Sequence, residues 1–324
     1  MQKTIFNIQS ERDFKEAALR VFKHQFEHNK VYRSFCDLLY KSPSEVKEIH
    51  EIPFLPIQFF KSHSVLSSMK DVQKTFTSSG TSGSIPSKHK VTDLSWYQKS
   101  YLKGIQYFYG DIKDYTILAL LPNYLEREGS SLIYMMDDLI QQTNKPTSGF
   151  YLQNFSELSS TLKQLDEKEE KTLLIGVSFA LLDLIEKETF QLQNTIIMET
   201  GGMKGKRKEL VREELHKILC NGFGVHSIHS EYGMTELLSQ GYSKGDGIFE
   251  CPPWMKSLTR DTEDPLTILD NHQTGGLNII DLANYNSCSF IATQDLGKVN
   301  HDGSFEILGR FDHSEIRGCN LLVI

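Results

Sequence analysis

Residues 172–200 read TLLIGVSFALLDLIEKETFQLQNTIIMET. An unbroken apolar run, Thr172–Val177, is followed by a segment of helical spacing, Phe179–Glu188, and then by a second apolar run, Thr195–Glu199. Runs with no polar alternation suit strands buried on both faces, and helices between such strands are the crossovers of a parallel sheet. Working outward, the same alternation continues. Thr116–Leu121 reads as a buried strand and Ser130–Gln142, Phe155–Glu167 and Lys206–Cys220 as helices. Val225–Ser230 reads as a further strand, Lys74–Ser78 as another, and Leu94–Tyr109 as a helix. An α/β fold with layered sheets flanked by helices follows.

Toward the N-terminus, Ser10 and Asp13 suggest a helix cap ahead of a stripe of Phe14, Ala18, Val21, Phe22 and Phe26. Ile52–Phe60 (IPFLPIQFF) is apolar but broken by two prolines, which favours an extended packed segment. After Ile248 the pattern shifts to short strand-like runs at Leu266–Asp270, Leu277–Asp281, Ser289–Thr293 and Ser304–Leu308. The chain reads as one domain over residues 1–324, with an α/β part at 1–247 and a smaller β-rich part at 248–324.

Composition excludes several classes. Of 324 residues, 39% are hydrophobic and 24% charged, so a large core is expected and disorder is not. A net charge of −7 argues against a dedicated nucleic-acid binder. No apolar run is long enough to span a bilayer, and the start MQKTIFNIQSERDF lacks a secretory signal, so a cytoplasmic location is expected. The five cysteines, Cys36, Cys220, Cys251, Cys288 and Cys319, form no zinc-type pair and no disulfide framework. Free thiols are expected.

Four stretches carry chemistry. Thr77–Gly83 (TSSGTSG) offers two glycines and five hydroxyl residues, a composition that can cradle phosphate, though a flexible turn reads equally well. Glu231–Glu236 (EYGMTE) joins an aromatic face suited to a purine to a carboxylate suited to a hard cation, or is a strand end with a polar turn. Thr293–Gly297 (TQDLG) holds Asp295, which can accept from two vicinal hydroxyls but, as a lone aspartate in a turn, is more often structural. Gly309–Asp312 (GRFD) leads through SEIRG to Gly318.

In that order these stretches resemble the signatures of the adenylate-forming superfamily, which includes acyl-CoA synthetases and peptide-synthetase adenylation domains. In SSGTSGSIPSK, Ser78–Lys88, the proline and lysine come later than usual. Ile52–Ser64, Leu121–Leu132 (LPNYLEREGSSL), Glu199–Lys204 (ETGGMK) and Arg317–Leu321 (RGCNL) are similar to the acyl-protein synthetase family of LuxE type, with phenylacetate–CoA ligases as near relatives.

The resemblance implies the large N-terminal domain of that superfamily, without the small C-terminal domain. It implies ATP and Mg²⁺ as cofactors, and a fatty acid that is activated to acyl-AMP and passed to a cysteine. By this match Ser78, Ser79, Gly80, Thr81, Ser82 and Gly83 hold phosphate. Tyr232, with Gly233, stacks on adenine, Thr235 contacts the α-phosphate, Glu236 binds Mg²⁺, Asp295 binds the ribose, and Arg310 touches ribose or phosphate. Gly201 and Gly202 admit adenine, Lys204 supplies positive charge in place of the small-domain lysine, and Cys319 accepts the acyl group. A reductase or an acyl carrier is the implied partner. Two other readings remain: a ligase for an aryl or other acid that delivers to CoA, and a nucleotide-binding scaffold without catalysis. His63 and His229 read as structural.

Overall fold

A computed structural model describes residues 2–78, 85–121, 129–152, 154–201, 207 and 210–311. The first helices are α1 (Glu11–His28) and α2 (Lys30–Leu38). Ser10 caps α1 by accepting from Asp13 N at 3.1 Å, and the expected stripe is buried. Gln25 interrupts that stripe, yet it is wholly buried and donates to the carbonyls of Asn284 and Tyr285. It pins α1 to the far end of the chain. The proline-broken segment is extended as expected: β1 (Leu55–Pro56) is followed by the short α3 (Phe59–Ser62).

A two-stranded antiparallel ribbon, β2 (Lys74–Thr77) with β3 (Lys88–Val91), leads into α4 (Leu94–Tyr109). Then come β4 (Thr116–Leu120), α5 (Ser131–Thr143), β5 (Gly149–Phe150), α6 (Phe155–Glu167), β6 (Thr172–Val177), α7 (Ser178–Lys187), β7 (Thr195–Thr200), α8 (Arg212–Phe223) and β8 (His229–Tyr232). Strands β5, β4, β6, β7 and β8 lie side by side and parallel, as the apolar runs require.

The remaining strands are β9 (Gly241–Ser243), β10 (Ile248–Glu250), β11 (Met255–Arg260), β12 (Thr274–Asp281), β13 (Phe290–Val299) and β14 (Phe305–Arg310). They continue the same sheet, in the order β11-β12-β13-β14-β10-β9-β8-β7-β6-β4-β5, with β1 parallel to β13. The change of character expected near residue 248 is thus a switch from parallel to antiparallel pairing within one sheet. It falls between β8 and β9.

Several expected boundaries move. Leu266–Asp270 is not a strand; only Ile268 bridges to Arg260. Asp261 accepts from Glu263 N and Asp264 N, and Asp264 from the Thr267 hydroxyl, so side-chain turns take the backbone instead. Helix α8 starts at Arg212 rather than Lys206. Strand β8 starts at His229 rather than Val225, because Gly224 caps α8 in the left-handed region and 225–228 are needed to turn the chain. Asp295 lies in strand β13, not in a turn.

Candidate active site

The site grows from two irregularities in the sheet. Asn278 pairs with Ala292, but Gly276 pairs with Leu296, so Thr293, Gln294 and Asp295 together face Leu277. On the other side, Gly297 pairs with Ile307 while Leu296 pairs with Gly309, so β14 carries one extra residue, Leu308. Bulges of this kind re-aim side chains. In unbroken register Gly309 would stand opposite Asp295. The extra residue brings Arg310 there instead, and Arg310 Nε lies 3.3 Å from Asp295 Oδ1.

The bulge frees carbonyls that a ladder would have used. Arg260 takes them: Nη1 donates to Leu277 O at 2.7 Å and Nη2 to Thr293 O at 2.6 Å. Gly276 makes room, since a Cβ there would lie 2.5 Å from Arg260 Cζ. Burial lowers the Arg260 pKa to about 10, and the nearby Asp295 charge works against that fall.

Tyr232 ends β8 and donates its hydroxyl to Asp295 Oδ2 at 2.7 Å. Its ring is buried and meets Phe305 and Phe249 edge-on. Burial raises the Asp295 carboxyl above its ordinary range, while Tyr232, Arg310 and Arg260 pull it down. Burial, then the Asp295 charge, raises the Tyr232 hydroxyl. Tyr232, Asp295 and Arg310 are therefore in direct contact, although they come from three strands. Arg310 is 72% exposed in its side chain and Asp295 only 12%, so the cluster is anchored from below and open above.

Thr235 and Glu236 follow Tyr232 and Gly233 directly. His89 Nδ1 donates to Thr235 O at 2.8 Å, and Asn284 Nδ2 to Glu236 O at 2.6 Å. Downstream, Asp281 accepts from Leu238 N and Ser239 N, at 2.8 and 2.9 Å. The backbone after the tyrosine is clamped at both ends. Glu236 is buried, and burial raises its carboxyl pKa against Ser87, Arg310 and Lys61, which lower it. Burial also pulls the His89 ring to about 4, so it is neutral at ordinary pH.

The other residues singled out from sequence are placed as follows. The Ser78 hydroxyl accepts from Ser87 N at 2.9 Å, closing the base of the glycine-rich loop. Gly201 ends β7, and its carbonyl accepts from Ser178 at 3.4 Å. Ser79, Gly80, Thr81, Ser82, Gly83, Gly202, Lys204 and Cys319 lie outside the described residues. Arg207 is engaged elsewhere, donating from Nε to Asp183 at 3.1 Å and from Nη2 to Glu186 at 2.6 Å. His229 meets the Tyr109 hydroxyl at 3.2 Å, and His63 stacks on Phe59. Sequence reading missed Arg260, His89, Asp281 and Asn284, whose partners are far away along the chain.

Glu231 was also missed as a group of interest. Its carboxylate accepts from the Thr200 hydroxyl at 2.5 Å, and the Tyr97, Tyr109 and Tyr242 hydroxyls feel its charge. Burial, then repulsion from Glu199, raises its pKa to about 7. A carboxyl whose folded pKa lies above the unfolded value stabilises the fold below the unfolded pKa, here 4.5, and that stability is lost as pH rises through about 7. Glu199 is shifted the other way: burial raises it, but His216, Arg212 and Ser230 leave it lowered, so its contribution is lost in acid. Glu231→Gln should therefore raise the melting temperature at pH 8 relative to the parent, with little gain at pH 5. A gain of equal size at both pH values would contradict a buried titrating carboxyl.

Among the described residues no helix is long and apolar enough to cross a membrane, and no group of three or more His, Cys, Asp or Glu side chains is placed to hold a metal alone. A cation here would rely on Glu236 together with ligand oxygens and water. That suits Mg²⁺, which commonly takes one or two carboxylates plus phosphates.

Comparison with known proteins agrees with this geometry. The family model "Acyl-protein synthetase, LuxE" matches residues 5–324. A "Long-chain-fatty-acid–luciferin-component ligase" from Photorhabdus luminescens is 34% identical over 76 residues, which is 23% of this chain and 65% of that relative. Among solved structures, an open conformation of 2-hydroxyisobutyryl-CoA ligase in complex with 2-HIB-AMP and CoA superposes with a TM-score of 0.68 at 11% identity, covering 94% of this chain and 70% of that one. ATP-bound MatB from Rhodopseudomonas palustris gives 0.54 at 17% identity, over 75% of this chain and 49% of that one. The chain thus spans about half the length of MatB, and the fold is the α/β large domain these ligases share. On the match across residues 5–324, the chain belongs to the LuxE acyl-protein synthetase family.

Proposed function

We propose that this chain uses ATP to activate a carboxylic acid as acyl-AMP and then moves the acyl group to a cysteine thiol. The observation that carries the reading is the contact of Tyr232 and Arg310 with Asp295, beside the clamped Thr235–Glu236 backbone. In this reading the Tyr232 ring, with Gly201, Gly202 and Gly233 close by, receives the purine, and Asp295 accepts from both ribose hydroxyls. Arg310 steadies ribose or phosphate, Thr235 donates to the α-phosphate, and the 78–83 loop with Lys204 holds the remaining phosphates. Mg²⁺, held through Glu236, would neutralise phosphate charge.

The acid's carboxylate oxygen attacks the α-phosphorus, the bond to the β-phosphate oxygen breaks, and pyrophosphate leaves with that electron pair. The Cys319 thiolate then attacks the acyl carbon. The carbon–oxygen bond to AMP breaks and AMP departs, leaving a thioester. The thiol proton goes to solvent. A long-chain fatty acid is the favoured substrate, because the Photorhabdus relative carries that acid in its name. A reductase or carrier that takes the acyl group from Cys319 is the corresponding partner. A cytoplasmic location would keep that thiol reduced.

The test is exchange of labelled pyrophosphate into ATP, which should depend on added acid. Cys319→Ser should retain exchange and lose a hydroxylamine-labile acyl label on the protein. A label that persists in Cys319→Ser would remove the acceptor role, and absence of acid-dependent exchange in the parent protein would remove the reading itself.

A further inference from the structure

The residues that clamp Thr235 and Glu236 surround a small cavity of about 10 Å³, lined among others by His89, Thr92, Asn284 and Leu238. Three buried polar atoms there have no protein partner: His89 Nε2, Thr92 Oγ1 and Asn284 Oδ1. His89, Thr92 and Asn284 are each at least nine-tenths buried.

The hydrogen-bond directions are fixed by the clamp. The carbonyl of Thr235 can only accept, so His89 Nδ1 must carry the proton. The neutral ring then presents Nε2 as a bare acceptor. Asn284 spends its NH₂ on the Glu236 carbonyl, so Oδ1 is a second acceptor. Flipping the amide would set two carbonyl oxygens against each other. Two acceptors cannot satisfy one another, and buried acceptors are rarely left unmet. What they need is a small group with two donors that can itself accept from the Thr92 hydroxyl.

We propose that one water molecule is a fixed part of this site, donating to His89 Nε2 and Asn284 Oδ1 and accepting from Thr92 Oγ1. The space is close to the smallest that holds a water, and three hydrogen bonds is the usual number for a buried one. The water ties β3 to the turn after β12, and through the two carbonyls it sets where Thr235 and Glu236 point. His89, Thr92 and Asn284 are positioning residues. Their effect on nucleotide, as distinct from the water itself, rests on the function proposed above.

A crystal structure of the full chain at a resolution that shows ordered solvent decides the water directly. One solvent peak within hydrogen-bonding distance of all three atoms is expected. Direct contact of His89 Nε2 with Asn284, without solvent, overturns the proposal. Two variants test the consequence. Thr92→Val keeps the shape and removes the hydroxyl, and it should raise the KM for Mg·ATP about 5-fold with kcat little changed. Thr92→Ser keeps the hydroxyl and should behave as the parent. The opposite pattern, a benign valine and a damaging serine, means the side chain only packs and overturns the positioning role. If the parent itself binds no Mg·ATP, the functional reading fails, while the solvent peak still decides the water.

Discussion

Asp295→Ala should reduce ATP affinity by at least about 100-fold, because two charge-assisted hydrogen bonds to a ribose, at roughly 1.5–3 kcal/mol each, are removed together. The change also strikes the fold. The Tyr232 hydroxyl, now donating to Asp295 Oδ2, would be buried without its acceptor, and Arg260 would lose the nearest opposing charge. An unsatisfied buried hydroxyl costs about 1–3 kcal/mol. The Arg310 pair adds little to that sum, since Arg310 is mostly exposed. Asp295→Asn separates the two effects. The amide oxygen can still accept from Tyr232, so stability should largely return, while affinity for nucleotide should stay low because the second acceptor and the charge are gone. Calorimetric titration with ATP, alongside thermal melts of both variants, checks this. An asparagine variant that binds ATP as tightly as the parent would show that Asp295 only braces the sheet.

The second large effect is expected at Glu236. Glu236→Ala should lower acid-dependent pyrophosphate exchange by about 1,000-fold, the upper range for deleting one well-placed electrostatic group. Stability should not fall in parallel. Burial raises the Glu236 pKa, so the ionised carboxylate is a strained component of the folded protein. By the linkage rule, its stabilising protonated form is present below 4.5 and is lost as pH rises through the folded pKa. A bound cation would reverse that loss. Addition of Mg²⁺ and ATP should therefore raise the melting temperature of the parent more than that of Glu236→Gln, and the difference should grow with pH. Equal shifts would argue that the cation sits elsewhere.

Much of the scaffold was legible in the sequence because the decisive signals are local. TLLIGV and TILAL are apolar on both faces, and only a strand buried on both sides suits them. Leu94–Tyr109 and Phe155–Glu167 begin after Asp93 and Asn154, which cap them, so even their ends were readable. EYGMTE is contiguous, and its order relative to TQDLG and GRFD could be matched without a fold. The shape of the site was not legible. Asp295 faces Tyr232 and Arg310 because β13 and β14 slip register, and register belongs to a pair of strands, not to either one. Arg260 sits in β11, whose alternation of apolar and polar residues, MKSLTR, is too short to stand out. His89 reaches Thr235 across 146 residues. Leu266–Asp270 looked like a strand by composition, but Asp261 and Asp264 compete for its backbone, and such side-chain turns are visible only once donors and acceptors are placed.

The claim on which the rest depends is spatial: Tyr232, Glu236, Asp295 and Arg310 surround one nucleotide. A crystal of the full chain grown with ATP and Mg²⁺ measures it directly. The account predicts the ribose hydroxyls on Asp295, the purine against Tyr232, and the metal on Glu236 and phosphate oxygens. Nucleotide bound at any other place, with these four side chains unchanged and facing solvent or one another, would contradict it.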